Sequence, residues 1–254
     1  MEKEIANYIS ALGVDDFGIA AVQDYHSPKS YEISKFLPDA KSIIVLGFKV
    51  LTSCESPSVT TAQNGYLDLA SFARTSSYQI SRFLERKYAA KTATFGISYP
   101  MEIHNDRKAI ADFSQRHAAV AAGLGTFGRH NLVIHPRFGT RIQFTSIITN
   151  LALQPKPKCE EDLCIHCDLC VKNCPSQALA TKGQTDVMKC YAHSQPYGLV
   201  GDITFQLQRL GSSPEEQKNM LMDQEYARLK QAAYLGNQYM CYNCLKTCPV
   251  GIKA

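Results

Sequence analysis

The stretch that decides the fold reads Cys164-Ile165-His166-Cys167-Asp168-Leu169-Cys170-Val171-Lys172-Asn173-Cys174-Pro175. Three thiols spaced two residues apart can wrap one iron–sulfur cubane within a tight loop, while the fourth, beside proline, leaves for a second cluster. The run therefore predicts a complement. It appears as Cys241-x2-Cys244-x3-Cys248-Pro249, which supplies three more thiolates, and Cys190 fills the last position. The spacing assigns Cys164, Cys167, Cys170 and Cys248 to one 4Fe–4S cluster and Cys174, Cys190, Cys241 and Cys244 to the other. Cys-x2-Cys pairs also hold zinc, but a zinc ribbon does not need a three-cysteine run ending in Cys-Pro with a matching partner. Cys54 and Cys159 are left over and read as small buried side chains, and His166 reads as an exposed loop residue.

Working outward, nine of the ten cysteines lie from Cys159 onward in a chain of 254 residues. Hydrophobic residues make up 45% and charged residues 20%, the composition of a folded protein rather than a disordered one. The length allows one large or two modest domains. The Pro- and Lys-rich segment Gln154–Lys158 marks the boundary, giving domains 1–155 and 156–254. A formal charge of +4, with no basic patch in either half, argues against nucleic acid as a partner. The longest apolar stretch, Ile43–Leu51, is interrupted by Gly47 and Lys49 and falls short of a membrane span. The opening Met1-Glu2-Lys3-Glu4-Ile5 is no secretory leader, so a cytoplasmic location is expected. In that reducing compartment clustered thiols bind metal rather than pair.

The first half patterns as mixed α and β. Ile5, Tyr8, Ile9 and Leu12 recur at helical spacing, and Phe17–Val22 is a short apolar strand. A short helix is expected at Ser30–Leu37, a buried strand at Ser42–Leu51, a long amphipathic helix at Tyr66–Tyr88 and a strand at Thr92–Ile97. Arg107–Ala122 reads as an alanine-rich helix, and Leu132–His135 with Arg141–Asn150 as a hairpin around Pro136-Arg137-Phe138-Gly139. Past the boundary one long helix is expected, with Ser212 or Ser213 as N-cap and Pro214 in its first turn. The rest reads as cysteine loops.

Two strings mislead. Gly123-x-Gly125-x-x-Gly128 matches the dinucleotide fingerprint, yet a helix enters it and a strand leaves it, the reverse of the order that motif requires. A helix C-cap with left-handed glycines accounts for it. Asp24-Tyr25-His26 opens like a cobalamin-ligating Asp-x-His-x-x-Gly motif, but Lys29 occupies the glycine position.

Residues Ala121–Leu132 around the glycines, Pro136–Arg141, the two cysteine runs and Gly236-Asn237 appear in an order that resembles the family of epoxyqueuosine reductase and reductive dehalogenases. The resemblance spans roughly 116–251. It implies an α+β architecture: a nitroreductase-like α/β sandwich that holds a corrinoid, followed by a ferredoxin-like domain with two 4Fe–4S clusters. It also implies that Gly123, Gly125, Gly128 and Arg141 border the corrinoid, and Arg129 and His130 follow the glycines as candidate contacts to its amides or phosphate. Candidate proton donors are Tyr66, Tyr99 and His104, since corrinoid reductions need an acid. The family's acidic donor does not map onto 97–106. The tRNA-recognition repeats of epoxyqueuosine reductase and the export signal of respiratory dehalogenases are not found, so neither tRNA modification nor organohalide respiration is expected.

These readings predict an iron–sulfur oxidoreductase that takes single electrons from a ferredoxin- or flavodoxin-like donor. The electrons would pass to a bound cobalamin, and from it to a small molecule or a corrinoid protein. Two alternatives stay open. One is an electron-transfer protein without corrinoid that docks a redox partner, and the other is a flavin-containing reductase. A deep apolar pocket in the first half would separate the first reading from the docking platform.

Overall fold

The computed structural model describes residues 1–96, 101–103, 109–181, 183–236 and 241–251. They pack into two compact units that alternate along the chain: Met1–Val50, Asp68–Asp168 and Cys248–Ala254 form the first, and Leu51–Leu67 with Leu169–Thr247 the second. The elements run α1 (Glu2–Ala11), β1 (Asp16–Ala21), β2 (Ser42–Lys49), α2 (Val59–Tyr88), β3 (Thr92–Phe95), β4 (Met101–Ile103), β5 (Ala109–Ala111), α3 (Gln115–Ala121), β6 (Thr126–Phe127), β7 (Val133–Ile134) and β8 (Ile142–Thr149). Then come α4 (Leu169–Lys172), α5 (Val187–Ser194), α6 (Leu199–Leu210), α7 (Pro214–Met222), α8 (Gln224–Leu235) and α9 (Asn243–Thr247).

The first unit is built on an antiparallel sheet of order β1-β2-β8-β3. β2 is buried from Ser42 to Phe48, which requires cover on both faces. Successive side chains point to opposite faces. Ile43 and Val45 join Ala20, Phe144 and Ile148 in a cluster with the alanines of α3, and α3's small side chains let it lie flat on the strands. The even-numbered Phe48 meets Phe72 of α2 edge to face at 5.7 Å, and Tyr8 of α1 stacks on Phe83 of α2 at 4.2 Å. Helices thus cover the sheet on both sides. Gln154–Lys158 is no free tether: the Lys156 N–H donates to the Ile19 carbonyl at 2.9 Å, its ammonium sits 3.9 Å over the Phe17 ring, and Lys158 pairs with Asp24 at 3.1 Å.

Two expectations for this unit need correction. The helix expected over Arg107–Ala122 starts only at Gln115, because the Ser114 hydroxyl caps it by accepting from the His117 N–H, and Ala109–Ala111 pairs as a strand with Met101–Ile103. The two arms of the expected hairpin do not pair with each other as strands. β7 pairs with β6, β8 takes the sheet between β2 and β3, and only the His135–Gly139 bridge closes the turn.

The second unit is helical. Ser213 caps α7 in a reciprocal box with Glu216, with Pro214 in the first turn as expected. That helix stops at Met222, where Asp223 caps α8, and Gly236 at φ +73° ends α8. α5 and α6 replace what reads as loop in the sequence. Phe205 of α6 is buried and stacks on Tyr226 of α8 at 5.4 Å, beside buried Leu229.

Candidate metal centre

In the second unit, α4 packs on α9, and these short helices with α5 carry the cysteines. Cys174 follows α4, Cys190 sits on α5, Cys244 on α9, and Cys241 just precedes α9. They lie near enough to feel one another. Burial pushes the Cys244 thiol up to about 12, and Cys190, Cys241 and Cys174 add to the rise against the opposing Leu245 N–H. Burial and the neighbouring thiols together disfavour the Cys244 thiolate, and a bound cation would offset both. Cys174 goes the other way: burial opposes its ionisation, but the Ser176 hydroxyl and the backbone N–H groups of Ala178, Ser176 and Leu179 outweigh it and lower the thiol. Such N–H donors suit a thiolate bound to iron.

In the first unit, Cys164, Cys167 and Cys248 form the corresponding group. Burial raises the Cys248 thiol, the Val250 N–H and the Arg141 guanidinium lower it, and Cys167 and Cys164 raise it again. The Arg129 N–H donates to Cys164 Sγ at 3.4 Å, and its guanidinium faces Asp168 at 3.4 Å. Arg141 Nη1 donates to the Cys248 carbonyl at 2.5 Å. Asp162 braces the loop by accepting from the Cys164 N–H at 3.0 Å and pairing with exposed His166 at 2.8 Å. His166 and Asp168 both hold left-handed backbone, φ +49° and +55°. That is conformational strain of order 1 kcal/mol or more each, kept where the thiols are presented. Among the described residues no three His, Cys, Asp or Glu side chains converge tightly enough for a single ion. A cubane takes each thiolate on a separate iron and asks for a wider spacing.

The glycine loop supports this first group. Gly123 and Gly125 hold φ +76° and +145°, and a Cβ on them would stand 2.2 Å from the Pro157 carbonyl oxygen and 2.1 Å from that of Ile134. The room their missing side chains leave is taken by the chain itself. His130 differs from an exposed loop residue: it is buried, its Nδ1 accepts from the Leu132 N–H at 3.1 Å, and burial lowers it to about 4. It is neutral in the folded protein at pH 7. Between an ordinary 6.5 and about 4 the unfolded chain binds the proton and the folded one does not, so stability falls as pH drops through this window. From pH 7 to pH 5 the loss should be ~2 kcal/mol. Urea denaturation of wild type and His130→Asn at both pH values checks this, and an equal loss in the two proteins would remove His130 as the cause.

The remaining candidates are scattered. Tyr66 lies in the second unit, stacked on Tyr242 at 4.2 Å, and burial raises its hydroxyl above the ordinary tyrosine range. Tyr99 and His104 lie outside the described residues. Cys54 is buried, as read, whereas Cys159 is half-exposed. Unexpected from the sequence is a cleft of about 1080 Å³ in the first unit along α2 and the edge strand β3. Arg74, Tyr78, Arg82, Arg86, Thr92 and Thr94 line it. It is large for a ligand site, and its lining is polar and apolar in equal measure, unlike the apolar pocket sought. Its signal was present in the sequence as basic residues four and eight apart on a helix whose opposite face is apolar.

The family described as "4Fe-4S binding domain" matches residues 160–180. Along the whole chain, the epoxyqueuosine reductase of Staphylococcus aureus is 26% identical over 98% of this chain and 64% of its own length. A tetrachloroethene reductive dehalogenase of Desulfitobacterium hafniense is 30% identical over 76% of this chain and 33% of its own. The relatives of this chain are epoxyqueuosine reductases and reductive dehalogenases. That is the resemblance drawn above from the glycine loop and the cysteine runs. A crystal structure of epoxyqueuosine reductase superposes with a TM-score of 0.64 at 19% identity, covering 98% of this chain and 65% of that one. Another, holding an epoxyqueuosine-modified tRNA stem loop, gives 0.54 at 20% over 74% and 55%. A reductive dehalogenase whose description concerns B12-dependent dehalogenation gives 0.58 at 16% over 96% and 37%. These likenesses establish a mixed α/β fold with a 4Fe–4S domain. The chain spans just under two thirds of the epoxyqueuosine reductases and about a third of the dehalogenase. No helix among the described residues is long and apolar enough to cross a membrane.

Proposed function

We propose that this chain is an iron–sulfur oxidoreductase that passes single electrons through two 4Fe–4S clusters to a corrinoid held by residues 1–155. The observation that supports the reading is that Cys244 lies near Cys190, Cys241 and Cys174, and Cys248 near Cys164 and Cys167, with N–H donors beside the thiols of both groups. Cys174, Cys190, Cys241 and Cys244 would hold one cluster; Cys164, Cys167 and Cys248, with Cys170 from the spacing, the other. A cubane supplies one electron at a potential set by charge and hydrogen bonds at its sulfurs. A corrinoid would supply a cobalt centre able to attack or reduce a small substrate. The relatives' reductase names and the B12-dependent dehalogenase that shares the fold favour it over an electron carrier that only docks a partner. The chain's own part is to position thiolates and place Arg129 and Arg141 beside them.

Within this reading the assignments of Gly123, Gly125, Gly128, Arg129, His130 and Arg141 to the corrinoid, and of Tyr66, Tyr99 and His104 to proton supply, are proposals. The nitroreductase-like sandwich, a cytoplasmic location and a low-potential ferredoxin- or flavodoxin-like donor belong to it too. Burial makes Tyr66 hold its proton tightly, which counts against it as a proton donor. A relative with a tRNA stem loop tempers the expectation against nucleic acid; the proposed acceptor is a small molecule or a corrinoid protein.

Anaerobic titration of the cluster-loaded protein with cob(II)alamin, read by electron paramagnetic resonance, tests the reading. Saturable binding with a base-off cobalt signal that bleaches with a low-potential donor supports it; intact cubane signals without binding leave an electron carrier. A second test concerns Arg141. Removing a cation beside Cys248 disfavours the added electron, so Arg141→Gln should lower one cluster's midpoint potential by tens of millivolts, a tenfold shift being about 59 mV for one electron. Unchanged potentials in a redox titration would separate Arg141 from the cluster.

A further inference from the structure

We propose that the cleft along α2 and β3 is a binding site for a phosphate ester that carries a flat ring. Arg74, Tyr78, Arg82 and Arg86 recur every four residues and so form one ridge of α2, about 18 Å long at 1.5 Å per residue. Ser77, Ser81 and Glu85 form the ridge beside it. The charges are unbalanced. Against three guanidiniums stands one carboxylate, Glu85, which already accepts from the Thr92 hydroxyl at 2.5 Å. Arg82 Nη1 donates to the Tyr78 hydroxyl at 2.8 Å, which fixes its fork across the cleft. The Arg74 stem lies 3.3 Å from where a Gly96 Cβ would be, so a side chain there would move it by a few tenths of an ångström. Among the described residues Arg74 and Arg86 have no ion-pair partner.

Ser81 points independently to a ligand. It is 7% exposed, and its buried Oγ has no hydrogen-bond partner among the described residues. Its neighbour on the ridge, Ser77, donates to the Ala73 carbonyl at 2.9 Å and accepts from the Thr145 hydroxyl at 3.0 Å. Buried hydroxyls are normally satisfied, and this one, closed to the cleft in its present rotamer, would be satisfied if it turned toward an acceptor oxygen lodged there. Guanidinium forks match phosphate oxygens. Tyr78, 59% exposed, offers a ring face on which a base can stack. The phosphate and ring have two sources: the nucleotide tail of a complete corrinoid, or a free nucleotide. The first source rests on the corrinoid reading; the site itself does not.

The test is calorimetric titration of the cluster-loaded protein, under anaerobic conditions, with adenosine 5′-monophosphate, adenosine, cobalamin and cobinamide, which lacks the nucleotide tail. The monophosphate should bind saturably, and at least ~tenfold more tightly than adenosine, the size of effect one good charge-assisted contact gives. Arg74→Gln/Arg86→Gln should erase that preference at unchanged iron content. Ser81→Ala should weaken the monophosphate without lowering thermal stability, since its hydroxyl has no internal partner to lose. A cobalamin preference over cobinamide that the double variant abolishes assigns the site to the nucleotide tail. Monophosphate binding with neither corrinoid bound assigns it to a free nucleotide and overturns the corrinoid reading alone. Equal binding of monophosphate and adenosine, or full binding by the double variant, overturns the proposal. So does a single-stranded RNA that binds orders of magnitude more tightly with a steep salt dependence.

Discussion

On the proposed ligand sets, Cys244→Ala protein should be purified with one cubane's worth of iron and inorganic sulfide against two for the wild type. Cys244 sits on α9 among Cys190, Cys241 and Cys174, and three thiolates do not close the second ligand set. The loss should extend beyond the metal. α7 contributes no buried residue, and α5 buries only Ser194, so little apolar surface holds these helices without the ligands. In such a unit cluster binding is folding free energy. The variant should therefore lose helical circular dichroism and become sensitive to proteolysis within 169–247. Cys159→Ala serves as the control, since Cys159 lies outside both groups, and should keep its iron. Full iron and sulfide in Cys244→Ala would show the ligand assignment to be wrong.

Gly139→Ala should cost ~2 to 5 kcal/mol and loosen the first thiolate group. Gly139 holds φ +58°, and its added Cβ would stand 1.8 Å from the Val250 carbonyl oxygen. The left-handed backbone penalises an L side chain by roughly 1–2 kcal/mol, and forcing two backbones apart adds ~1–3 kcal/mol. Gly251, at φ +79°, lies against the same turn, with its own absent Cβ 2.3 Å from the Gly139 nitrogen. Pushing Val250 away withdraws the N–H that it gives to Cys248 and shifts the carbonyl that Arg141 holds. The midpoint in urea should fall, and one of the two cubane signals should broaden or vanish before global unfolding. A variant with wild-type stability and both signals would mean that the turn and the 250–251 segment are not packed together in solution.

What could be read from the sequence was what short-range chemistry decides. The spacing of Cys164 to Cys174 depends on loop geometry within a dozen residues, and Ser42–Lys49 is an apolar run that any sheet would bury. Ser213-Pro214 carries its own cap. β8's partners were not legible, because a strand beside a tight turn pairs with its sequence neighbour unless a better sheet exists elsewhere, and β2 is that sheet. The helix before Gln115 failed for a related reason: alanines at 109–111 are good helix formers, but their pairing with 101–103 overrides propensity. α6 was missed because Gly201 and Asp202 interrupt the apolar pattern near its start. The burial of His130 follows from the tertiary fold around it, which no window of sequence contains.

Arg141 reaches the Cys248 carbonyl across 107 residues of chain, and those residues include most of the second unit. During synthesis the β7–β8 turn is therefore made long before the backbone that packs against Gly139 exists. Cys174, Cys190, Cys241 and Cys244 are all in place once residue 244 has been added, whereas the other set waits for Cys248. On the proposed ligand sets both sites therefore wait for the last cysteine run, and their closing thiols, Cys244 and Cys248, are made within about a second of each other at ~5–20 residues per second. A chain stopped between residues 244 and 248 would hold every thiol of one proposed set and lack the last thiol of the other.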